Sequence, residues 1–148
     1  ITPNLERDIL LKWPNDILIE EKKVAGLLAQ ATDKGVVIGI GLNVSMTISE
    51  LPIPHATSIA ISGGKELDRN LLLANFLNTF QANFQDWDNG ASFITKYTSI
   101  CSTIGQEVEI EVLGRENRQG RAQGILNSGA LLLADGFAVT VGDVVHLR

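Results

Sequence analysis

The residues best suited to chemistry lie in one short stretch, Leu10 to Gly26, which reads LLKWPNDILIEEKKVAG. Lys12 and Lys23 offer ammonium groups that can hold an anion. Asp16 offers a carboxylate that can hold a cation or accept a proton, and Asn15 offers an amide that donates and accepts together. Gly26 offers a bare backbone against which something can lie closely. The chemistry such a set supports is the binding and neutralisation of an anionic group beside a carboxylate.

The elements that must position these groups follow from local pattern. Ile9 to Trp13 form an apolar run that stops at Pro14, which cannot donate to a ladder. Asn15-Asp16 supply turn chemistry before a second apolar run, Ile17 to Ile19. Glu20 to Lys23 form a polar hairpin tip, Lys23 to Ala31 a third strand, and Gly35 to Val44 (GVVIGIGLNV) a fourth that reads as central, with Gly39 and Gly41 as points of close backbone approach. Four strands with short turns predict an antiparallel meander.

KWPND followed by KVAGLL, with GIGLNV from Gly39 to Val44, closely resembles the catalytic domain of biotin protein ligases. The segments stand in that family's order and at similar spacing, and the resemblance covers nearly the whole chain. It implies an α+β fold: a mixed or antiparallel sheet covered by helices, like a class II synthetase, followed by a small SH3-like β-barrel. It implies ATP and biotin as substrates, with Mg²⁺, and a biotin carboxyl carrier protein of acetyl-CoA carboxylase as partner. By the same resemblance Lys23 and Asp16 are catalytic, and Lys23, Gly26 and Leu28 contact biotin. Lys12, Asn15, Asp16, Gly39, Gly41, Asn43 and Arg148 contact ATP or the adenylate, and Asp16 is the candidate Mg²⁺ ligand.

Each residue also has a plainer reading. Lys23 alone would be a solvated hairpin lysine beside Lys22, Asp16 an acceptor for turn N–H groups, and Asn15 or Asn43 a cap on a turn or strand end. Trp13 reads as core rather than as a stacking surface. Arg148 could equally be a frayed terminus. Gln30 stands where family members often carry an acid, and Ser45 to Gly64 contains no aromatic ring to close over adenine. His55 and His146 lack the spacing of a metal site or nucleophile pair.

The resemblance further implies an arginine- and glycine-rich biotin loop ahead of KWPND, which nothing before Leu10 matches. The chain is therefore expected to be a truncated, C-terminal part of a ligase that transfers biotin weakly or not at all alone. Two other readings stay open: a non-enzymatic folded remnant that associates through sheet edges, with a homodimer possible, and a lipoate-type acyltransferase relative.

The remaining pattern supplies the scaffold. Asp68 is a candidate N-cap for a helix to about Trp87, with Leu72, Leu73, Phe76, Leu77, Phe80, Phe84 and Trp87 at three- and four-residue steps. A second helix carries Phe93, Ile94, Tyr97 and Cys101, and the two are expected to cover the sheet. From Gly105, Val108, Ile110 and Val112 alternate with glutamates, and Asp135-Gly136 is a hairpin signal. The expected domains are 1–103, a partial catalytic domain, and 104–148, the barrel.

At 148 residues with 45% hydrophobic content the chain can bury one core or two small ones. A net charge of −5 argues against a nucleic-acid partner, and one cysteine excludes an internal disulfide, which fits the cytoplasm. No apolar run is long enough for a bilayer span, so no membrane role is expected.

Overall fold

The computed structural model describes residues 8–112 and 116–147. In chain order the elements are β1 (Ile9–Lys12), β2 (Asp16–Ile19), β3 (Lys22–Thr32), β4 (Gly35–Leu42), a 3-10 turn (Ile48–Glu50), α1 (Arg69–Asp88) and α2 (Ile94–Ser99). There follow β5 (Glu107–Glu111), β6 (Arg118–Ile125), β7 (Leu131–Leu133), β8 (Ala138–Val139) and β9 (Asp143–His146). The fold is α+β, with two sheets and a C-terminal all-β part. The residues group into two compact units. One holds Ile17–Ser92 with the described residues before Leu10; the other holds Leu10–Asp16 and the described residues from Phe93 onward.

In the first unit β2, β3 and β4 are successive neighbours. The β2–β3 turn is two residues long, Glu20-Glu21, so Lys22 and Lys23 already belong to β3 rather than to the hairpin tip. β3 and β4 pair antiparallel from Ala25 opposite Leu42 to Thr32 opposite Gly35. The core is Ile19, Val24, Ala25, Val44, Ile59 and Leu72, with Ile9 and Ile17 packed against it. The segment after β4, an irregular loop by sequence, closes this core. Lys23 N–H donates to the His55 carbonyl at 3.0 Å and Thr57 N–H to the Lys23 carbonyl at 2.8 Å, so Ala56 to Ile59 lie buried beside β3. The polar groups this buries are paired: Ser58 Oγ donates to the Met46 carbonyl at 2.7 Å, and the Thr57 and Ser62 hydroxyls lie 3.0 Å apart.

Asp68 caps α1 as expected, accepting from Asn70 N–H at 2.8 Å and Leu71 N–H at 3.2 Å. The apolar stripe of α1 differs from the expectation that the helices cover the sheet. Leu72 is its one buried residue, and β4 is exposed at all eight positions. The stripe packs instead on itself: successive rings from Phe76 through Phe80 and Phe84 to Trp87 stand 5.6 to 5.9 Å apart.

In the second unit five strands pair antiparallel in the order β8-β7-β6-β5-β9. The Glu/Val/Ile alternation of β5 buries Val108 and Ile110 and leaves Glu107 and Glu111 exposed. Their core partners are Ala122, Leu131, Leu133, Val139 and Val144, joined by Trp13 and Cys101.

Glu20 and Glu21 both sit at positive φ, 49° and 64°, the conformation of a tight hairpin turn that glycine or asparagine occupies with less strain. Glu21→Gly is expected to stabilise the fold by about 1 kcal/mol and raise the thermal midpoint by roughly 2–4 °C. A calorimetric melt checks this, and an unchanged or lowered midpoint would contradict it.

Candidate functional site

Two groups of sequence-predicted residues have a definable geometry, one in each unit. On β3 and β4, Gly26 lies directly opposite Gly41, and Leu28 opposite Gly39. Cross-strand partners point to the same face, so these four positions share one. Asn43 N–H donates to the Val24 carbonyl at 2.9 Å, which continues that face one step past Gly41. A Cβ placed on Gly39 would meet the Leu28 carbonyl at 3.9 Å, and one on Gly41 the Gly26 carbonyl at 4.0 Å, and no side chain nearer. The face is a bare backbone platform with Leu28, 69% exposed, standing beside it.

Asn43, half-buried, donates one amide hydrogen to the Thr57 carbonyl at 2.9 Å, the capping role available to it by sequence. Lys23 is half-buried near the start of β3. The two-residue strand period sets it out of phase with Gly26 and Leu28, so its side chain leaves β3 on the face opposite theirs.

The second group, Lys12, Asn15 and Asp16, surrounds a turn held from below by its neighbours in the second unit. Leu11 N–H donates to the Ile100 carbonyl at 2.8 Å, and Ser102 N–H to the Leu11 carbonyl at 2.7 Å. The Trp13 indole, 4% exposed, donates through Nε1 to the Gly129 carbonyl at 2.9 Å. Trp13 N–H donates to Thr103 Oγ1 at 3.1 Å, and Tyr97 Oη donates to the Pro14 carbonyl at 3.4 Å. Trp13 is thus a core residue, as its type suggested. Asn15 is exposed in the turn and Asp16 half-buried at the start of β2.

Tyr97 and Thr103 are residues the sequence reading did not connect to this turn. Their partners lie more than eighty positions away, where no local period can signal them. Burial chiefly pushes the Tyr97 phenol above its ordinary value; the Cys101 thiol and then the Asp16 carboxylate add to the shift. It stays protonated and able to donate.

Among the described residues no three His, Cys, Asp or Glu side chains gather into a metal site. A lone carboxylate such as Asp16 is what Mg²⁺ takes when phosphates and water complete its shell. A cavity of about 330 Å³ in the first unit, lined by Lys22, Ala56, Ile61 and by Ile48 and Leu51 to Pro54 of the loop, contains none of the predicted residues. Arg148 lies outside the described residues. No helix among the described residues is long and apolar enough to cross a membrane.

Residues 3–46 match the model of the Biotin/lipoate A/B protein ligase family. The biotin–[acetyl-CoA-carboxylase] ligase of Mycobacterium tuberculosis is 38% identical over 142 residues, 93% of this chain and 53% of that protein. The bifunctional ligase/repressor BirA of Escherichia coli is 29% identical over 150 residues, 95% of this chain and 46% of the relative. Among solved structures, the biotin protein ligase of Aquifex aeolicus in complex with biotin and ATP superposes with a TM-score of 0.75 at 30% identity, over 95% of this chain and 62% of that one. Its apo form gives 0.78 at 29% identity, over 94% and 65%. The chain spans about half the length of the ligases it matches in sequence.

Tyr97 is the chain's one tyrosine, so its titration can be followed alone. Its folded pKa lies above the unfolded value near 10, so N binds more protons than U above that pH and stability falls as pH rises through this range. Tyrosinate absorbance is expected to stay absent at pH 10.5 in the folded chain and to appear on unfolding. Half-ionisation at pH 10 in the folded state would contradict the assignment. Tyr97→Phe should flatten the alkaline fall in stability.

Proposed function

We propose that this chain, whose residues 3–46 match the biotin/lipoate A/B protein ligase family model, carries the nucleotide- and adenylate-binding residues of a biotin protein ligase. The reaction is the ATP-dependent formation of biotinyl-5'-AMP and the transfer of biotin to a lysine of a biotin carboxyl carrier protein. The observation that carries the reading is the platform of Gly26, Leu28, Gly39 and Gly41 on one face of β3 and β4, bordered by Asn43.

The chemistry is electrostatic. A biotin carboxylate oxygen attacks the α-phosphorus of ATP as the bond to pyrophosphate breaks, so two anions must approach and a third must leave. The Lys23 ammonium offsets that repulsion, contacting the biotin carboxylate and the α-phosphate, and Lys12 adds positive charge for the phosphates. The glycine platform admits planar and anionic groups to the backbone, with Leu28 and Gly26 against biotin. The Asn15 and Asn43 amides suit a purine edge. In the second step the carrier lysine attacks the acyl carbon, AMP leaves, and Asp16 takes the amine proton. Mg²⁺, when bound, neutralises phosphate charge, and Asp16 is the residue that would hold it. Arg148 is proposed as a further contact to ATP.

Partners and place belong to the same proposal: the carrier domain of acetyl-CoA carboxylase, a cytoplasmic location, and no nucleic-acid partner, in keeping with the charge of −5. A homodimer is supported by β4, an uncharged sheet-end strand with every residue exposed. The domain division 1–103 and 104–148 is retained as a functional one.

Calorimetric titration with MgATP tests the reading. Binding is expected in the parent chain. Lys23→Ala should weaken it roughly 10- to 100-fold, the scale of a lost charge-assisted contact, and Asp16→Asn should remove its dependence on Mg²⁺. Absence of MgATP binding in the parent, or a Lys23→Ala variant indistinguishable from it, would overturn the assignment.

A further inference from the structure

We propose that Thr103 is a positioning residue for the turn that presents Lys12, Asn15 and Asp16, its buried hydroxyl tying the Trp13 backbone to the His146 ring. The proposal deepens the ligase reading and rests on it for the consequence to nucleotide binding.

Thr103 is completely buried in the second unit. Its Oγ1 lies 3.1 Å from Trp13 N and 3.2 Å from His146 Nε2. An amide N–H can only donate, so the hydroxyl accepts from Trp13 and has its own hydrogen to give. His146 Nε2 takes that hydrogen in the tautomer protonated on Nδ1, and in the other tautomer donates to the hydroxyl's second lone pair, so the link forms either way. One hydroxyl therefore joins three segments that are far apart in sequence: the Trp13 turn, the α2–β5 connection and β9.

Strand pairing cannot do this work at Trp13. β1 ends at Lys12, and Pro14 has no N–H to continue a ladder. Thr103 stands where the ladder stops. The indole is held separately, by its bond to the Gly129 carbonyl and by burial in the core. Removing the hydroxyl should accordingly release the backbone just ahead of Asn15 and Asp16 while the ring stays anchored and the sheet intact. A purely structural threonine would instead loosen the whole unit.

The test compares Thr103→Val, which keeps the shape and deletes the hydroxyl, with Thr103→Ser, which keeps the hydroxyl, both in the full chain. In Thr103→Val, hydrogen exchange at the Trp13 amide is expected to quicken at least tenfold and the amide resonances of Asn15 and Asp16 to shift, while β5 and β7 amides exchange as in the parent. The dissociation constant for MgATP should rise about tenfold. Thr103→Ser should restore all of these. Unchanged Trp13 exchange would overturn the proposal, and so would a released Trp13 amide with unaltered MgATP affinity. If the parent binds no MgATP, the ligase reading fails and the Asn15 and Asp16 resonances decide alone: moved, the positioning role stands; unmoved, it falls. Should β5 and β7 lose protection in the valine variant, Thr103→Ala is read by the same criteria.

Discussion

The burial of Trp13 is the constraint on which the functional reading of the second unit depends. Its ring joins the apolar core formed by β5 to β9, and its indole and backbone N–H groups are each spent on partners about a hundred residues away. A buried indole or amide left without a partner costs about 1–3 kcal/mol, so both bonds are strongly favoured once the ring is inside. The residues on either side inherit this rigidity. Lys12, Asn15 and Asp16 are polar groups on a short turn whose middle is nailed to a hydrophobic core, which is how a loop can hold chemistry in place.

The first unit reaches a similar end by different means. Here the scaffold is the β3–β4 ladder, and the feature on which the proposed function rests is what the ladder lacks. Glycines facing each other across two strands remove side chains from a patch of sheet and expose amide planes, at some loss of intrinsic strand stability. The cost is offset nearby, where Val24, Ala25 and Val44 are buried under the returning segment Ala56 to Ile59. Asn43 lies at the junction of bare face and packed core, its side chain fixed to the Thr57 carbonyl.

Much of this was legible in the sequence because it is local. The Asp68 cap, the Asp135-Gly136 hairpin, the alternation of Glu107 to Glu111 and the stop at Pro14 each follow from a few adjacent residues. The motif residues were legible for another reason: KWPND, KVAGLL and GIGLNV together are specific enough to identify a family. What was not legible is long-range. No pattern near Thr103 or Tyr97 announces a partner at Trp13 or Pro14. The segment Ser45 to Gly64 has loop composition, yet its backbone pairs with Lys23 and closes a core. Periodicity also shows which residues are apolar without showing that they are covered: β4 and the Phe76 to Trp87 stripe have the composition of buried elements and are largely exposed.

Acyl-adenylate binding is proposed for the residues of the glycine platform in the first unit and, separately, for those of the Trp13 turn in the second. It can be checked by titrating the isotopically labelled chain with a non-hydrolysable biotinyl-adenylate analogue and following the backbone amides. Saturable shifts are expected to concentrate at Lys23, Gly26, Leu28, Gly39, Gly41, Asn43, Asn15 and Asp16. Shifts confined to other residues, or none at saturating analogue, would contradict it.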